Sequence, residues 1–192
     1  IYAETYTSKK AGNGVREDTI GKENSANTSI VREAISLADY RDKYSLYRSD
    51  KSLQKVHAKF PMVLLWDDHE VQDNWAGAAP GGGLDAVKKF TAARKAAATK
   101  AFFESNPSFA GSSRKRLYRS IPFGGTVELI AMDQRSYRQD QPCGDAVVPE
   151  CADYNQPRAL LGNAQLDWVK SRLSASKATW KILANEVTIM PT

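Results

Sequence analysis

A short apolar run that ends in four consecutive ionisable side chains constrains the fold of this chain more than any other feature. Residues 61–66 read Pro-Met-Val-Leu-Leu-Trp, and residues 67–70 read Asp-Asp-His-Glu. The length of the run predicts a buried strand at 62–66. Ionisable groups directly after a buried strand are costly to place unless something compensates their charge, and a metal ion would do so. Because α/β sheets bind ligands beyond the carboxyl ends of their strands, the position also favours a binding site.

The donor types in this segment suit a metal ion, although a simpler interpretation exists. Asp67, Asp68 and His69 offer oxygen and nitrogen donors for Ca, Mg, Mn, Fe or Zn. Alternatively, one aspartate caps the next turn and His69 is an ordinary loop histidine. The chain contains 2 histidines, the other being His57. A site built from several histidines is therefore excluded for this segment, and further ligands would be carboxylates, amides, a tyrosine or groups outside the chain.

Predicted helices and strands alternate along the rest of the chain, which indicates the α/β class. Apolar residues recur at three- and four-residue steps from Ser29, which predicts a helix with Ser29 as its N-cap. Further helices are predicted at 51–59, at 84–105 and from residue 163 onward. Further strands are predicted at 118–122, 126–133 and 180–184. In the second of these, Val127, Leu129 and Ala131 are expected on one side.

Composition and charge exclude several classes of protein. With 42% hydrophobic and 26% charged residues, the 192 residues have the composition of one globular domain or most of one, and not of a disordered or fibrous chain. No apolar run is long enough to span a membrane. The net charge of +5 is spread along the chain, whereas nucleic-acid-binding proteins concentrate their basic groups. The basic cluster at residues 114–119 is interpreted as a solvated face, and no specific nucleic-acid binding is expected.

Five blocks of sequence together resemble a known family. The first runs from Ser-Leu-Ala-Asp-Tyr-Arg at 36–41 to Trp-Asp-Asp-His-Glu-Val at 66–71. It is followed by Asp-Gln-Arg-Ser-Tyr-Arg at 133–138, Asp-Gln-Pro-Cys at 140–143, the Leu-Gly, Gln and Trp of 161–168, and Trp-Lys-Ile-Leu-Ala-Asn-Glu-Val at 180–187. In this order the blocks closely resemble the alkaline phosphatase D (PhoD-like) family, and the resemblance covers residues 1–3 and about 36–192.

This resemblance implies a phosphoesterase that is secreted, periplasmic or on the bacterial cell surface. Its architecture would be that of the calcineurin-like metallophosphoesterases, a sheet sandwich flanked by helices with metals at the strand ends. Family members are described with ferric iron held by a tyrosinate and with calcium, so Fe(III) and Ca²⁺ are the expected cofactors. Residues 1–192 would form the central part of one catalytic domain. The Asp before Ile-Tyr and a later Gly-Asp-x-His block would lie outside it, and little activity is expected of this part alone.

The resemblance also assigns roles to particular residues. Tyr2 matches the end of the Gly-Asp-x-Ile-Tyr motif and is the expected iron ligand. Asp68 occupies a metal-ligand position, and His69 occupies the position that contacts the phosphate or protonates the leaving alkoxide. Asn74 matches an amide ligand, but Asp73 stands where the family more often has a second amide, so which of the two faces the metal is left open.

Two further roles complete the expected chemistry. Arg135, in the Asp-x-Arg-x-Tyr-Arg block, is expected beside the substrate or behind the ligands. A phosphoester is anionic and resists nucleophiles, so a metal cluster is needed to activate water and to neutralise charge. A phenolate suits Fe(III) better than Mg²⁺. His69 would donate a proton at mildly alkaline pH if Asp67 or Glu70 sustains its charged form.

Alternatives remain for the function and for the cysteines. The runner-up function is a non-catalytic, calcium-stabilised binding domain in which Asp67, Asp68 and Asn74 hold a structural ion. In an exported protein, Cys143 and Cys151 are expected to form a local disulfide, whereas in the cytosol they would be free thiols. The substrate and the oligomeric state are left open by the sequence.

Tryptophans flank the predicted site and also occur late in the chain. Trp66 and Trp75 lie on either side of the acidic segment and are candidates to line the site. Trp168 and Trp180 fall on a predicted helix and at a predicted strand start. Both are expected in the core.

Overall fold

The computed structural model describes residues 1–4, 33–81, 89–107, 116–146 and 151–187. These residues form a mixed α/β structure of helices and one small sheet. The helices are α1 (Leu37–Arg48), α2 (Lys51–Lys59), α3 (Ala92–Ser105), α4 (Gln134–Tyr137) and α5 (Gly162–Ala175), with a 3₁₀ turn at Pro142–Asp145. The strands are β1 (Arg119–Phe123), β2 (Val127–Ala131) and β3 (Trp180–Ala184). Among the described residues, no helix is both long and apolar enough to cross a membrane.

Local capping decides where α1 begins. Ser36 and Asp39 form a capping box, in which the Asp39 N–H donates to Ser36 Oγ at 3.2 Å and the Ser36 N–H donates to Asp39 Oδ2 at 2.8 Å. The predicted N-cap, Ser29, lies outside the described residues. Because residues 33–36 are not helical, the prediction of a continuous helix from Ser29 is wrong, and the capping box at Ser36 sets the start.

The next two helices follow the same logic. Asp50 caps α2 by accepting from the Leu53 N–H at 2.8 Å, and the helix has the bounds predicted from the sequence. Thr91 caps α3 by accepting from the Arg94 N–H at 3.0 Å. The predicted helix over 84–105 therefore begins later than expected, and its residues 84–88 lie outside the described ranges.

The sheet of the described residues has the order β1-β2-β3. An antiparallel hairpin pairs Arg119 with Ala131, and β3 adds in parallel to β2 with Val127 opposite Trp180. The connection from β2 to β3 contains α5, as a parallel crossover requires. The Gln165 side chain on α5 accepts from the Asp133 N–H at 2.8 Å, which fastens this helix to the end of β2.

Val127, Leu129 and Ala131 lie on one side of β2 as predicted, but the opposite side of the strand is the more buried one. Glu128 and Ile130 are buried, whereas Val127 and Leu129 are only partly buried, and Ala131 is buried as expected. The buried Glu128 carboxylate is compensated by Arg172 on α5, whose Nε donates to it at 3.0 Å. The alternation of apolar residues in the sequence does not reveal that this side is buried, because it carries Glu128, a charged residue whose burial depends on an ion pair.

Residues 62–66 do not form the predicted strand in the described structure. The Leu64 carbonyl accepts from Arg119 Nη2 at 3.1 Å, so a side chain takes the place of a neighbouring strand. Arg119 therefore points inward and does not belong to a solvated basic face. The apolar run serves instead to bring Trp66 into the core, where its Nε1 donates to Asp133 Oδ1 at 2.9 Å.

The main core lies under the acidic segment, between α1 and α3. Trp66 and Trp75 are both buried and meet edge to face with ring centroids 5.5 Å apart. They therefore support the site from below and do not line it, contrary to the expectation from sequence. Trp168 packs against Tyr118 at 4.9 Å, but Trp180, on β3, is 65% exposed. The expectation that Trp180 is in the core is wrong for the described residues, in which nothing covers β3.

The structure confirms the expected disulfide between Cys143 and Cys151, whose Cα atoms are 5.7 Å apart. Asp153 lies next to this bridge and accepts from the Cys143 N–H at 3.0 Å. Because both sulfurs are used in the bridge, the grouping of these three side chains is not a metal site.

Glu186, just after β3, gives a stability prediction. Its Oε2 accepts from the Gln134 N–H at 2.8 Å, but its Oε1 is buried without a hydrogen-bond partner in the described structure. Burial, together with the charges of Asp133 and Asp67, raises the pKa of Glu186 to about 8. The folded protein thus keeps a proton that the unfolded chain loses near pH 4.5, so stability falls as the pH rises from about 4.5 to about 8.

Glu186→Gln is expected to increase the free energy of unfolding by about 2 kcal/mol at pH 9 and to leave it unchanged at pH 5. Urea unfolding of both proteins at the two pH values measures the effect. Asp167→Asn, on the exposed surface of α5, is the control and should show no such difference. Equal stabilities of wild type and Glu186→Gln at pH 9 would contradict the assigned protonation state.

Candidate active site

A tight main-chain turn carries Asp68, which is buried, and His69, which is partly exposed. The Asp68 carbonyl accepts from the N–H groups of Val71 and Gln72, both at 2.8 Å. Glu70 Oε2 accepts from the Asp67 N–H at 2.8 Å, so this carboxylate closes the turn. The Ala3 N–H donates to the His69 carbonyl at 2.9 Å and fixes the segment 1–4 alongside the turn.

Buried polar groups on α1 and α3 hold this turn from behind. The Tyr40 hydroxyl donates to the Val71 carbonyl at 2.6 Å, and Arg94 Nε donates to the same hydroxyl at 3.0 Å. Arg94 also donates to the side chain of Gln72, whose Nε2 donates to the Pro80 carbonyl at 2.7 Å. Tyr40 and Arg94 are almost fully buried, so the turn is tied to two helices through a rigid network.

The return of the chain after the turn requires a glycine. Gly81 has φ +80°, and a Cβ atom at this position would lie 2.3 Å from the Asp73 carbonyl oxygen. Only glycine tolerates both the left-handed backbone and this close approach. The segment that carries Asp73 and Asn74 is thereby packed tightly against residue 81.

Three side chains of this region bring potential ligand atoms together. His69 Nε2 lies 3.9 Å from Asp68 Oδ2 and 3.7 Å from Asp73 Oδ1, and ligand atoms of the three residues all lie within 4.8 Å of one another. The two carboxylates at this separation fit a hard cation, and the imidazole lies beside them. Asp73 therefore lies with Asp68 and His69, and its role as a metal ligand stays a prediction.

Glu4 orients His69, a role that the sequence did not indicate. Glu4 Oε2 lies 2.7 Å from His69 Nδ1, and Glu4 Oε1 accepts from the Asp73 N–H at 2.7 Å. A carboxylate on Nδ1 fixes the ring orientation and leaves Nε2 directed at Asp68 and Asp73. Asp67 and Glu70 were expected to support His69, but Asp67 binds Arg135 and Glu70 closes the turn. Only the tertiary structure brings residue 4 to this place.

The charges of the site shift several pKa values. Burial would lower the pKa of His69, but the hydrogen bond with Glu4 and the charges of Asp68 and Asp73 outweigh it and raise the pKa. Burial would raise the pKa of Asp68, but the Asn74 N–H and the positive charges of Arg135 and His69 lower it. The site therefore favours an ionised Asp68 beside an imidazole that keeps its proton to a higher pH than usual.

Tyr2 lies directly on the imidazole of His69. The ring centroids are 4.0 Å apart at an angle of 32°, and the tyrosine is 42% exposed. The structure thus brings Tyr2, His69 and Asp68 into one place, as the family resemblance requires. The role of Tyr2 as an iron ligand stays a prediction.

Arg135 and Asn74 surround the carboxylates. Arg135 is buried, its Nε donates to Asp67 Oδ1 at 2.6 Å, and its Nη2 lies 3.6 Å from Asp68 Oδ1. Burial and the charge of Asp68 raise the pKa of Asp67, and the bond with Arg135 opposes this. The main-chain N–H of Asn74 donates to Asp68 Oδ2 at 2.9 Å. The ligand roles of Asp67 and of the Asn74 side chain stay predictions. Arg135 pairs with the carboxylates of Asp67 and Asp68.

Comparison with known proteins shows the family to which this chain belongs. The family model for PhoD-like phosphatase matches residues 1–192. The chain therefore belongs to the PhoD-like phosphatase family, a family of phosphoric ester hydrolases, and the resemblance found in the sequence is confirmed.

Individual relatives agree with this assignment. The chain is 36% identical over 173 residues to alkaline phosphatase D of Bacillus subtilis (strain 168), covering 88% of this chain and 29% of that protein. A solved structure described as the structure of PhoD superposes with a TM-score of 0.73 at 33% identity, covering 96% of this chain and 34% of the other. The chain thus spans about a third of the length of these relatives. The expected α/β fold class is confirmed, because this chain superposes on a part of that solved structure.

Proposed function

We propose that the complete protein hydrolyses phosphate esters with a metal-activated water, and that Asp68 and Asp73 bind the metal. The observation that carries this proposal is the convergence of Asp68, His69 and Asp73 within 4.8 Å in a chain of the PhoD-like family. Tyr2, Asp67 and Asn74 are proposed as further ligands. Their position around the same turn supports this assignment.

In this proposal each side chain of the site has a separate role in the reaction. A bound di- or trivalent ion would lower the pKa of a ligand water and neutralise phosphoryl charge. His69 carries a proton on Nε2 and transfers it to the leaving oxygen, while Glu4 holds the ring through Nδ1. Arg135 positions the carboxylates of Asp67 and Asp68. Calcium suits the carboxylate and amide oxygens, and Fe(III) suits the phenolate of Tyr2.

We also propose that the protein is exported to an oxidising compartment, in keeping with the family resemblance. The disulfide between Cys143 and Cys151 supports this location, since such bridges persist outside the reducing cytosol.

Metal analysis of the full-length protein tests the proposed function. Purified protein is expected to contain bound iron or calcium and to hydrolyse nitrophenyl phosphate esters, because its donor set fits such ions. Chelation should remove both the ions and the activity, and re-addition of the metal should restore turnover. Calcium without turnover would instead support the non-catalytic, calcium-stabilised binding domain, and a protein without bound ions would contradict both alternatives.

A further inference from the structure

A groove of about 620 Å³ adjoins the candidate active site, and the chemistry described so far does not use it. One of its walls is shared with the site. Gln141, which lines the groove, donates from Nε2 to the Asn74 carbonyl at 2.5 Å, and the N–H of Asn74 in turn donates to Asp68 Oδ2. The wall of the groove is therefore connected by hydrogen bonds through Asn74 to the turn that carries Asp68.

One arginine that lines the groove, Arg138, takes part in no ion pair within the described residues. Among the described residues, Arg138 makes no side-chain hydrogen bond or ion pair, although its guanidinium lies in the field of Asp67, Asp140 and Asp145. Arg138 is only partly buried, and none of its side-chain nitrogens is among the buried atoms without a partner, so the guanidinium is open to the groove. A guanidinium that is open to the groove and makes no ion pair within the described residues is available to an oxygen anion that enters it.

The second cation of the groove differs from Arg138. Arg158 donates to Asp153 Oδ2 at 2.5 Å and to the Asp153 carbonyl at 2.8 Å, so its charge is already paired. The ion pair lies beside the disulfide-bonded wall of the groove and stabilises it. Arg138 is therefore the group of this groove that favours an anionic ligand.

The groove wall also carries an acceptor without a partner. Gln141 is 9% exposed, its Nε2 is used by Asn74, and its Oε1 has no hydrogen-bond partner in the described structure. A carbonyl oxygen of this kind takes a hydrogen bond from a hydroxyl or amine. Arg138 and Gln141 thus offer a donor for an anion and an acceptor for a hydroxyl in the same groove.

We propose that this groove binds the alcohol part of the phosphoester and selects alcohols that carry a hydroxyl and a second anionic group, such as a carboxylate. The proposal rests on the proposed phosphoesterase function. Arg138 pairs with the anion and Gln141 accepts from the hydroxyl. An apolar alcohol leaves both groups unsatisfied, and a site built for polar groups rejects such an analogue strongly.

A matched substrate pair tests the proposal in the full-length enzyme. 3-Phosphoglycerate and glycerol 1-phosphate differ in a carboxylate that replaces a hydroxymethyl group. Arg138→Ala is expected to lower kcat/KM for 3-phosphoglycerate by about 10- to 100-fold, the usual effect of losing a charged hydrogen bond, and for glycerol 1-phosphate by less than about threefold. Arg138→Lys should restore part of the difference. Arg41→Ala removes an exposed guanidinium on α1 and should leave the ratio of the two substrates unchanged.

Binding measured without turnover separates failure of the groove from failure of the function. Calorimetric titration of wild type with D-glycerate should show binding that Arg138→Ala loses, and glycerol should not bind. If the protein binds glycerate but hydrolyses no ester, the proposed binding groove is supported and the proposed phosphoesterase function is contradicted. If the protein hydrolyses both substrates and Arg138→Ala lowers kcat/KM equally for the two, or not at all, the groove proposal is contradicted and the phosphoesterase function stands.

Discussion

Replacing Asp68 by asparagine in the full-length protein is expected to lower kcat/KM for nitrophenyl phosphate by about 10³-fold, which corresponds to about 4 kcal/mol of lost transition-state stabilisation. The ion content should fall at the same time. Asparagine keeps an oxygen that accepts from the Asn74 N–H, but it lacks the charge that binds a cation and that faces Arg135 and His69. Steady-state kinetics and elemental analysis of the purified variant measure the two effects.

The control for this substitution is Asp42→Asn. Asp42 lies on the exposed surface of α1, so the same chemical change should leave kinetics, ion content and thermal stability unaltered. A variant Asp68→Asn that keeps its ions and most of its turnover would remove the basis of the proposed metal site.

His69→Asn is expected to affect substrates according to their leaving group. Alkyl phosphates, whose alkoxides need a proton, should lose about 10² to 10⁴ in turnover, the usual contribution of a general acid. Nitrophenyl esters should lose less than about tenfold, because nitrophenolate departs without a proton. The bound ions should stay, since the carboxylates of Asp68 and Asp73 hold them. Kinetics on both ester classes, together with elemental analysis, measure this.

The pH dependence provides a second measurement of the same group. The pKa of His69 is raised, so the imidazole keeps its proton to a higher pH than usual, and turnover of alkyl esters should fall as the pH rises through that pKa. Glu4→Gln removes the carboxylate on Nδ1 and should move this fall to lower pH. His57→Asn, on α2, is the control and should change neither turnover nor profile. Equal losses for both ester classes in His69→Asn would exclude the role as an acid.

The elements predicted best are those decided by local interactions. The helix at 51–59 and the strand at 180–184 have the predicted bounds, and the disulfide forms as expected. The helix and the disulfide depend on neighbours in sequence, namely the Asp50 cap and two cysteines in one loop, whereas β3 also requires its pairing with β2. Likewise, adjacency in the sequence was enough to indicate that Asp68 and His69 share one site.

The predictions that failed depended on long-range contacts. Residues 62–66 have the composition of a strand, but the Leu64 carbonyl accepts from the Arg119 side chain. Trp66 donates to Asp133, and the run thereby places this tryptophan in the core. The buried face of β2 carries Glu128 because Arg172, 44 residues later, pairs with it. Side-chain periodicity contains no information about such distant partners.

For this protein, the amino-acid sequence by itself determined the family and the α/β class and indicated the central donors of the proposed site, because these depend on residue types at short fixed spacings. The tertiary structure alone decided that Glu4 orients His69. It also placed Arg135 on the aspartates and Arg138 in a groove next to them. These relations join residues about 65 positions apart, and only folding brings such charges within hydrogen-bonding distance.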